Sequence, residues 1–410
     1  MQDQWQVRSD VTLQYGLRWD AQLMPDPVDP STTAFARFLS DPAFPSDGTI
    51  PDQWSMWQPR VGATWDARGD GRSVLRSSAG VYFARQNMLS QVGTITTNGL
   101  QQQTIFANTD LNRQFGVPVP VWPGVLSPAP LPEGSFPDFS GVRVFHRDYR
   151  NPRTYTFNVG YEQEFAPAWS AYADYTWARG RHLTRFLNYN RSDPSCCDAG
   201  PGTGNTYVYG GAPFGPQLGE VMVTTSLGRS QYNGLTVGLR KRYSSGYQLE
   251  ANYVLSKDED DDSNERDPFT DRSFNFFDLD LDYALSDRDI RHKLNFFGYF
   301  ELPWSVRLNS RIQARGAQPI TPSPRSLDGV DRGRNSARKD NEYFSFDWRL
   351  TRAFRIGGVE VLPTVEMFNT FNNANNINPL STPALFNFDG FLRTGVGDPR
   401  QVQLSIKVVF

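Results

Sequence analysis

The stretch QVQLSIKVVF, residues 401–410, carries apolar side chains at Val402, Leu404, Ile406, Val408 and Phe410, with Gln401, Gln403, Ser405 and Lys407 between them. A period of two puts the two sets on opposite faces of an extended strand. The last strand of a soluble sandwich would alternate in the same way, so this stretch alone leaves both readings open. What separates them lies upstream, where the pattern recurs at membrane-spanning length.

Val11, Leu13, Tyr15, Leu17 and Trp19 alternate with polar partners, as do Tyr155 to Tyr161, Ala171 to Trp177, Leu235 to Leu239 and Tyr247 to Leu255. Leu294, Phe296, Gly298, Phe300 and Leu302 run to Pro303-Trp304 and return as Val306, Leu308, Ser310, Ile312 and Ala314. The other face of that return strand is Arg307, Asn309, Arg311, Gln313 and Arg315, which requires water rather than a dry core. In all, the alternation predicts about thirteen strands.

Their connections alternate between tight turns and long segments, the latter at Asp20 to Pro51, Asn87 to Pro152, Asn190 to Gln231, Asp258 to Asp289, Gly316 to Glu342 and Asn373 to Arg400. Short periplasmic turns on one rim and long extracellular loops on the other are the layout of outer-membrane barrels. The expected fold is therefore all-β, an antiparallel transmembrane β-barrel present in part. By the same alternation, Phe410 ends on the short-turn rim and the first strand begins on the long-loop rim. Because single-chain bacterial barrels have an even strand count, strands upstream of Met1 are expected.

Composition narrows the class. Aromatics reach 14% although hydrophobic residues are only 38% and the mean hydropathy is -0.53. Disordered chains lack such aromatics, and helical membrane proteins need apolar runs of about eighteen residues, none of which occurs. A net charge of -3 and a pI near 5.8 argue against nucleic acid as a partner. Met1-Gln2-Asp3-Gln4-Trp5 lacks the basic and apolar regions of a signal peptide, so the chain is expected to be a fragment or to stay inside the cell. The two cysteines, Cys196 and Cys197, are adjacent, and either a vicinal disulfide or two free thiols fits.

The segments NPRTYTFNVGYEQE (151–164), YTWARGRHL (175–183), YNGLTVGLRKR (232–242), NYVLSK (252–257), DRDIRHK (287–293) and EMFNTFN (366–372), with the terminal Phe410, together resemble TonB-dependent outer-membrane transporters of the Oar-like branch. The resemblance implies a 22-stranded barrel around a plug, of which residues 1–410 would be the C-terminal portion from about the tenth strand on. It also implies outer-membrane lipid, the barrel-assembly machinery, the protein's own plug and the TonB complex as partners. Neither plug nor TonB-interacting segment is read in this chain. Leu404, Ile406, Val408 and Phe410 look like the C-terminal signal that the assembly machinery reads.

Candidate sites are few. Asp258, Asp260 and Asp262, with Glu265, Asp267 and Asp271 beyond, are oxygen-rich enough for Ca²⁺, but they lack EF-hand spacing, and a solvated loop held extended by repulsion is the simpler reading. Arg307, Arg311 and Arg315 face the polar side and either guide an anionic solute or form a ladder with Glu250, Glu301 and Asp347. His182 and His292 sit beside basic residues with no further ligands at metal spacing. Gly200 to Gly204 follows no strand-to-helix switch and reads as a flexible loop, and no catalytic constellation or cofactor motif is present, so no enzyme is expected. Trp19, Trp65, Trp177, Trp304 and Trp348 read as interfacial belts rather than sugar platforms. The functions in contention are an energised receptor for a siderophore, oligosaccharide or peptide, a passive porin or adhesin-like barrel, and a secreted soluble protein that binds carbohydrate.

Overall fold

A computed structural model describes residues 1–99, 141–191, 213–215, 218–263, 271–322, 325–328, 330–378, 395–396 and 398–410. β1 (Gln2–Arg8) pairs with β2 (Val11–Gln22), and β3 (Gln53–Asp66) with β4 (Ser73–Phe83). After helix α1 (Met88–Thr96) and the short β5 (Val142–Phe145) come two hairpins. They join β6 (Arg153–Ala166) to β7 (Trp169–Asn188) and β8 (Val221–Ser244) to β9 (Tyr247–Asp260). β10 (Ala284–Leu285) precedes the hairpin of β11 (His292–Leu302) and β12 (Val306–Arg315). Four two-residue strands follow, β13 (Pro319–Ile320), β14 (Ser326–Leu327), β15 (Val330–Asp331) and β16 (Ala337–Arg338). Then come β17 (Tyr343–Arg352), β18 (Phe354–Ile356), β19 (Val359–Phe368), β20 (Asn376–Asn378), β21 (Gly395–Val396) and β22 (Gln401–Val409).

Sixteen of these strands form one sheet, ordered β1-β2-β3-β4-β6-β7-β8-β9-β11-β12-β17-β19, with β18 and β22 also on β19. β18 continues β17 beyond Ala353, so that, with the short β5 and β10 set aside, thirteen spanning strands remain, as the alternation predicted. Each pairs antiparallel with its sequence neighbour, and β1 and β22 each have one edge without a partner among the described residues. The turns explain this meander. At Ser245-Gly246 and at Gly357-Gly358 both central residues have positive φ, the hairpin geometry whose twist matches that of the flanking strands.

Register fixes the faces. Phe157 opposes Trp177, Tyr175 opposes Leu235, Val237 opposes Tyr253, and Leu308 opposes Leu350, so the apolar rows run across the sheet on one side. That side is exposed: Leu404, Ile406 and Leu235 keep 73%, 71% and 41% of their surface. Among the described residues no buried core cluster includes Tyr155, Leu235 or Leu308. A row of uncovered large apolar side chains this long needs an apolar solvent.

The buried core lies at the long-loop end instead. Phe35, Phe44, Val142, Val144, Phe214, Leu218, Val221 and Val223 form one cluster, and Met24, Ile50, Phe145 and Tyr149 a second. Here the structure departs from the expected irregular loops. β7 and β8 run on beyond the spanning region, residues 221–224 of β8 pairing with β7 on one side and, in parallel, with β5 on the other. The connection from β4 to β6 thus crosses to the far edge of β8, and Phe35, Phe38 and Phe44 of the β2 to β3 connection stack beside Phe214. Cys196, Cys197, Glu265, Asp267 and Gly200 to Gly204 lie outside the described residues.

Candidate functional site

The polar face is a charged wall. Arg76, Glu162, Arg240 and Glu250 stand on β4, β6, β8 and β9 and form a chain of contacts, Arg76 to Glu162 at 3.1 Å, Arg240 to Glu162 at 3.8 Å and Arg240 to Glu250 at 3.2 Å. Further round, Arg349 of β17 reaches Glu366 of β19 at 2.6 Å. Arg240, Glu250, Phe297, Arg311, Asp347 and Arg349 are among the residues that line an open cleft of about 720 Å³ on this face. A second recess of about 150 Å³ beside it is bounded by Arg76, Glu162, Tyr172 and Asp174.

A ladder of charges is present on this face, but its arginines are Arg76, Arg240 and Arg349 rather than the three at spacing four. Glu250 is held by Arg240, Glu301 accepts from the hydroxyls of Tyr243 at 2.7 Å and Tyr299 at 3.0 Å, and Asp347 accepts from Ser345 Oγ at 2.6 Å and the Asn369 amide at 2.9 Å. Arg307 opposes Glu301 in register, and Arg311 opposes Asp347, but no ion pair closes between them among the described residues. Arg315 instead lies 5.6 Å from the ring centroid of Tyr343. Sequence spacing gave the face of these arginines, whereas their partners depend on cross-strand register and side-chain reach. Arg307 and Arg311 remain exposed guanidinium groups on a wall whose other charges are largely matched.

At the long-loop end the polar face is roofed. Met56 and Gln58, inward-pointing on β3, are buried, Asn151 Nδ2 reaching Met56 Sδ at 3.4 Å and Gln58 Nε2 donating to Asp20 at 2.7 Å, and Gln22 Oε1 accepts from both the Gln86 backbone amide and Asn151 Nδ2. The acidic connection after β9 belongs to this layer, and its described part is not a solvated loop held extended by repulsion. Asp258 and Asp260 are strand residues of β9, opposite Tyr232 and Ser230. Asp260 is clamped by Arg334 at 2.7 Å, Asp271 by Arg191 at 2.7 Å, Asp289 by Arg338 at 3.0 Å, and Asp282 by both Arg185 at 2.8 Å and Arg325 at 3.0 Å. Asp262 has Arg272 at 3.6 Å. Among the described residues no group of three or more His, Cys, Asp or Glu is arranged to hold a metal. Arginines brought in from β7, from just beyond it and from the β12 to β17 connection neutralise these carboxylates, which the composition of the acidic stretch alone does not reveal.

Glu220, just before β8, gives this layer a pH dependence. Burial and the charge of Asp271 push its carboxyl up to about 7, although Arg143 opposes the shift. A carboxyl raised in the folded state contributes stability that is complete below its ordinary value near 4.5 and is lost as pH climbs through about 7. Resistance of the roof to limited proteolysis should therefore fall between pH 5 and 8, by roughly 1–3 kcal/mol. Glu220→Gln should shrink that fall, Asp258, which burial and the charge of Asp260 push up to about 6, supplying the rest, and a profile unchanged by the substitution would remove Glu220 as a source.

Residues 1–315 match the family model described as an outer membrane beta barrel domain. The chain belongs to this family. This outer-membrane barrel domain therefore resides in the bacterial outer membrane, with its long loops outside and its tight turns in the periplasm, and the soluble reading falls. Among solved structures, the outer-membrane transporter YddB from Escherichia coli is similar at a TM-score of 0.56 and 10% identity, covering 97% of this chain and 43% of that one. The ferripyoverdine receptor of Pseudomonas aeruginosa is similar at 0.51 and 12% identity, covering 99% of this chain and 37% of that one. The barrel domain thus spans about two fifths of the length of these structures. A search of curated proteins returned no match.

The membrane placement accounts for the aromatics at strand ends. Trp19 and Trp57 of the apolar face lie with ring centroids 6.1 Å apart, and Trp19 Nε1 donates to the Trp54 carbonyl at 2.8 Å. Trp65, Phe165 and Trp304 mark the opposite, periplasmic rim with 43%, 58% and 81% exposure. Amphipathic rings favour these two levels because one edge meets lipid and the other water.

Proposed function

We propose that this domain is the C-terminal part of the barrel of an energised outer-membrane receptor, Oar-like in sequence. The plug and the remaining wall strands would be contributed by parts of the protein outside residues 1–410. The observation that carries this reading is the charged wall roofed at its extracellular end. A passive pore needs an open mouth, whereas here the connections between β2 and β3 and between β4 and β6 fold over the polar face. Likeness in fold to outer-membrane transporters supports the same reading.

In it, loops outside capture a siderophore, oligosaccharide or peptide. The wall around Arg307, Arg311 and Asp347 faces the plug and the passing solute. The TonB complex supplies the work of moving the plug, and Leu404, Ile406, Val408 and Phe410 of the last strand are read by the barrel-assembly machinery.

The test is liposome swelling with the intact protein in small sugars, beside growth on candidate solutes in cells with and without the TonB complex. Energised import predicts no swelling and TonB-dependent growth. Free diffusion of sugars, or growth indifferent to TonB, would make the barrel a passive pore. Arg311→Glu in the intact receptor should lower uptake of an anionic solute roughly tenfold with the barrel still folded, about the scale of one charge-assisted contact. Uptake equal to wild type would show that Arg311 does not face the solute path.

A further inference from the structure

The extracellular end of the lipid-facing wall carries an arrangement that neither the fold nor transport explains. Arg153 of β6 opposes Arg181 of β7, and Arg181 opposes Arg229 of β8, so three arginines stand side by side on adjacent strands. One dyad lower, Arg179 opposes Tyr155. All four share the face of Tyr155, Phe157, Trp177 and Tyr175, the face turned to lipid. Like charges directly opposite one another on a sheet are destabilising unless something anionic stands between them.

For Arg229 the protein supplies that anion, with Asp261 at 3.3 Å and Asp280 at 2.5 Å. Among the described residues Arg153, Arg179 and Arg181 form no ion pair, the guanidinium of Arg153 lying 5.4 Å from the Tyr155 ring centroid. Arg179 is exposed, and Arg153 has its Nε buried with no acceptor in reach. Glu259, at the same end of β9, is held by Lys257 at 2.7 Å. The exposed Arg150 extends the positive patch just before β6.

Height decides what meets this patch. Trp169 begins β7 at the periplasmic turn, and Arg179 follows it ten residues on. At about 3.3 Å per residue and a tilt near 40°, Arg179 stands about 25 Å above Trp169 and Arg181 about 30 Å, against an apolar band about 25 Å tall. The guanidinium groups therefore emerge where acyl chains end and headgroups begin. We propose that Arg153, Arg179 and Arg181 form a binding site for the phosphate groups of an outer-leaflet lipid headgroup, with the acyl chains of the same lipid on Tyr155, Phe157 and Trp177 below. A guanidinium presents paired N–H donors to phosphate oxygens, and basic patches at this level recognise phosphorylated headgroups. This inference rests on the placement of the wall in the membrane and not on transport.

The experiment is native mass spectrometry of the intact protein in mild detergent with three probes: a diphosphorylated glucosamine lipid, the same lipid stripped of phosphate, and inorganic phosphate. The wild type should retain the phosphorylated lipid at least tenfold better than the stripped one and should hold no inorganic phosphate. The triple variant Arg153→Gln, Arg179→Gln, Arg181→Gln should lose that preference, while Arg311→Gln on the opposite face keeps it. Equal retention of both lipids by the wild type, or undiminished preference in the triple variant, would overturn the site, as would binding of inorganic phosphate as strongly as the lipid. If the triple variant loses the heat-modifiable gel mobility of a folded barrel, the single variant Arg179→Gln and the two-lipid comparison on the wild type decide the matter alone.

Discussion

Replacing Asp282 with alanine should open the extracellular roof while leaving the spanning wall intact. Asp282 is almost wholly buried and is the shared anion of two arginines that are themselves buried, Arg185 on β7 and Arg325 in the β12 to β17 connection. It also accepts the Phe274 amide at 3.1 Å, and Arg325 passes the chain on to Asp331 at 2.8 Å while lying 3.9 Å from the Phe274 ring centroid. Removing the carboxylate strands the desolvated charge of Arg185 and leaves Arg325 to Asp331 alone, the case in which breaking a buried pair costs about 3–5 kcal/mol. Limited proteolysis should then cut the connections at residues 271–283 and 325–331, with heat-modifiable mobility of the barrel retained. Proteolysis indistinguishable from wild type would mean that the clamps do not hold the roof.

The second large effect belongs to the wall. Val237 lies on the apolar face near mid-span, opposite Ala173 and Tyr253, and Thr236 next to it points to the polar face. Val237→Arg should cost about 2–4 kcal/mol, since a guanidinium at the bilayer midplane must leave water or drag it in. Thr236→Arg, one residue away in sequence, should cost far less, because Asp174 opposite can accept its charge. Urea unfolding in lipid vesicles reads the difference, and equal costs at the two positions would contradict the facing.

The wall was legible in the sequence because its physics is local. Phe157 against Asn158, or Leu308 against Asn309, declares its face through the pleat alone, and the tight turns sit where Gly246, Gly357 and Gly358 permit positive φ. What escaped depends on contacts between segments far apart. Phe35, Phe44 and Phe214 follow no period, and only their number in otherwise polar, Pro- and Gly-rich connections hinted at a core. β5 joins the sheet in parallel at β8, a pairing no nearby residue announces. The acidic stretch looked like a cation site or a repelling loop because its neutralising arginines, Arg185, Arg191, Arg325, Arg334 and Arg338, are supplied from distant sequence. Likewise the spacing of Arg307, Arg311 and Arg315 fixed their face but not their partners, since Arg240 took Glu250 first.

The central claim is that one face of every spanning strand meets acyl chains and the other meets water. Single cysteines placed in turn at Leu235, Thr236, Val237, Gly238, Leu239 and Arg240, with Cys196 and Cys197 replaced, test it through a fluorophore challenged by lipid-borne and aqueous quenchers in vesicles. Quenching should follow a strict period of two, with 235, 237 and 239 quenched from the lipid and 236, 238 and 240 from water. Uniform aqueous quenching, or a period that fails to alternate, would contradict it.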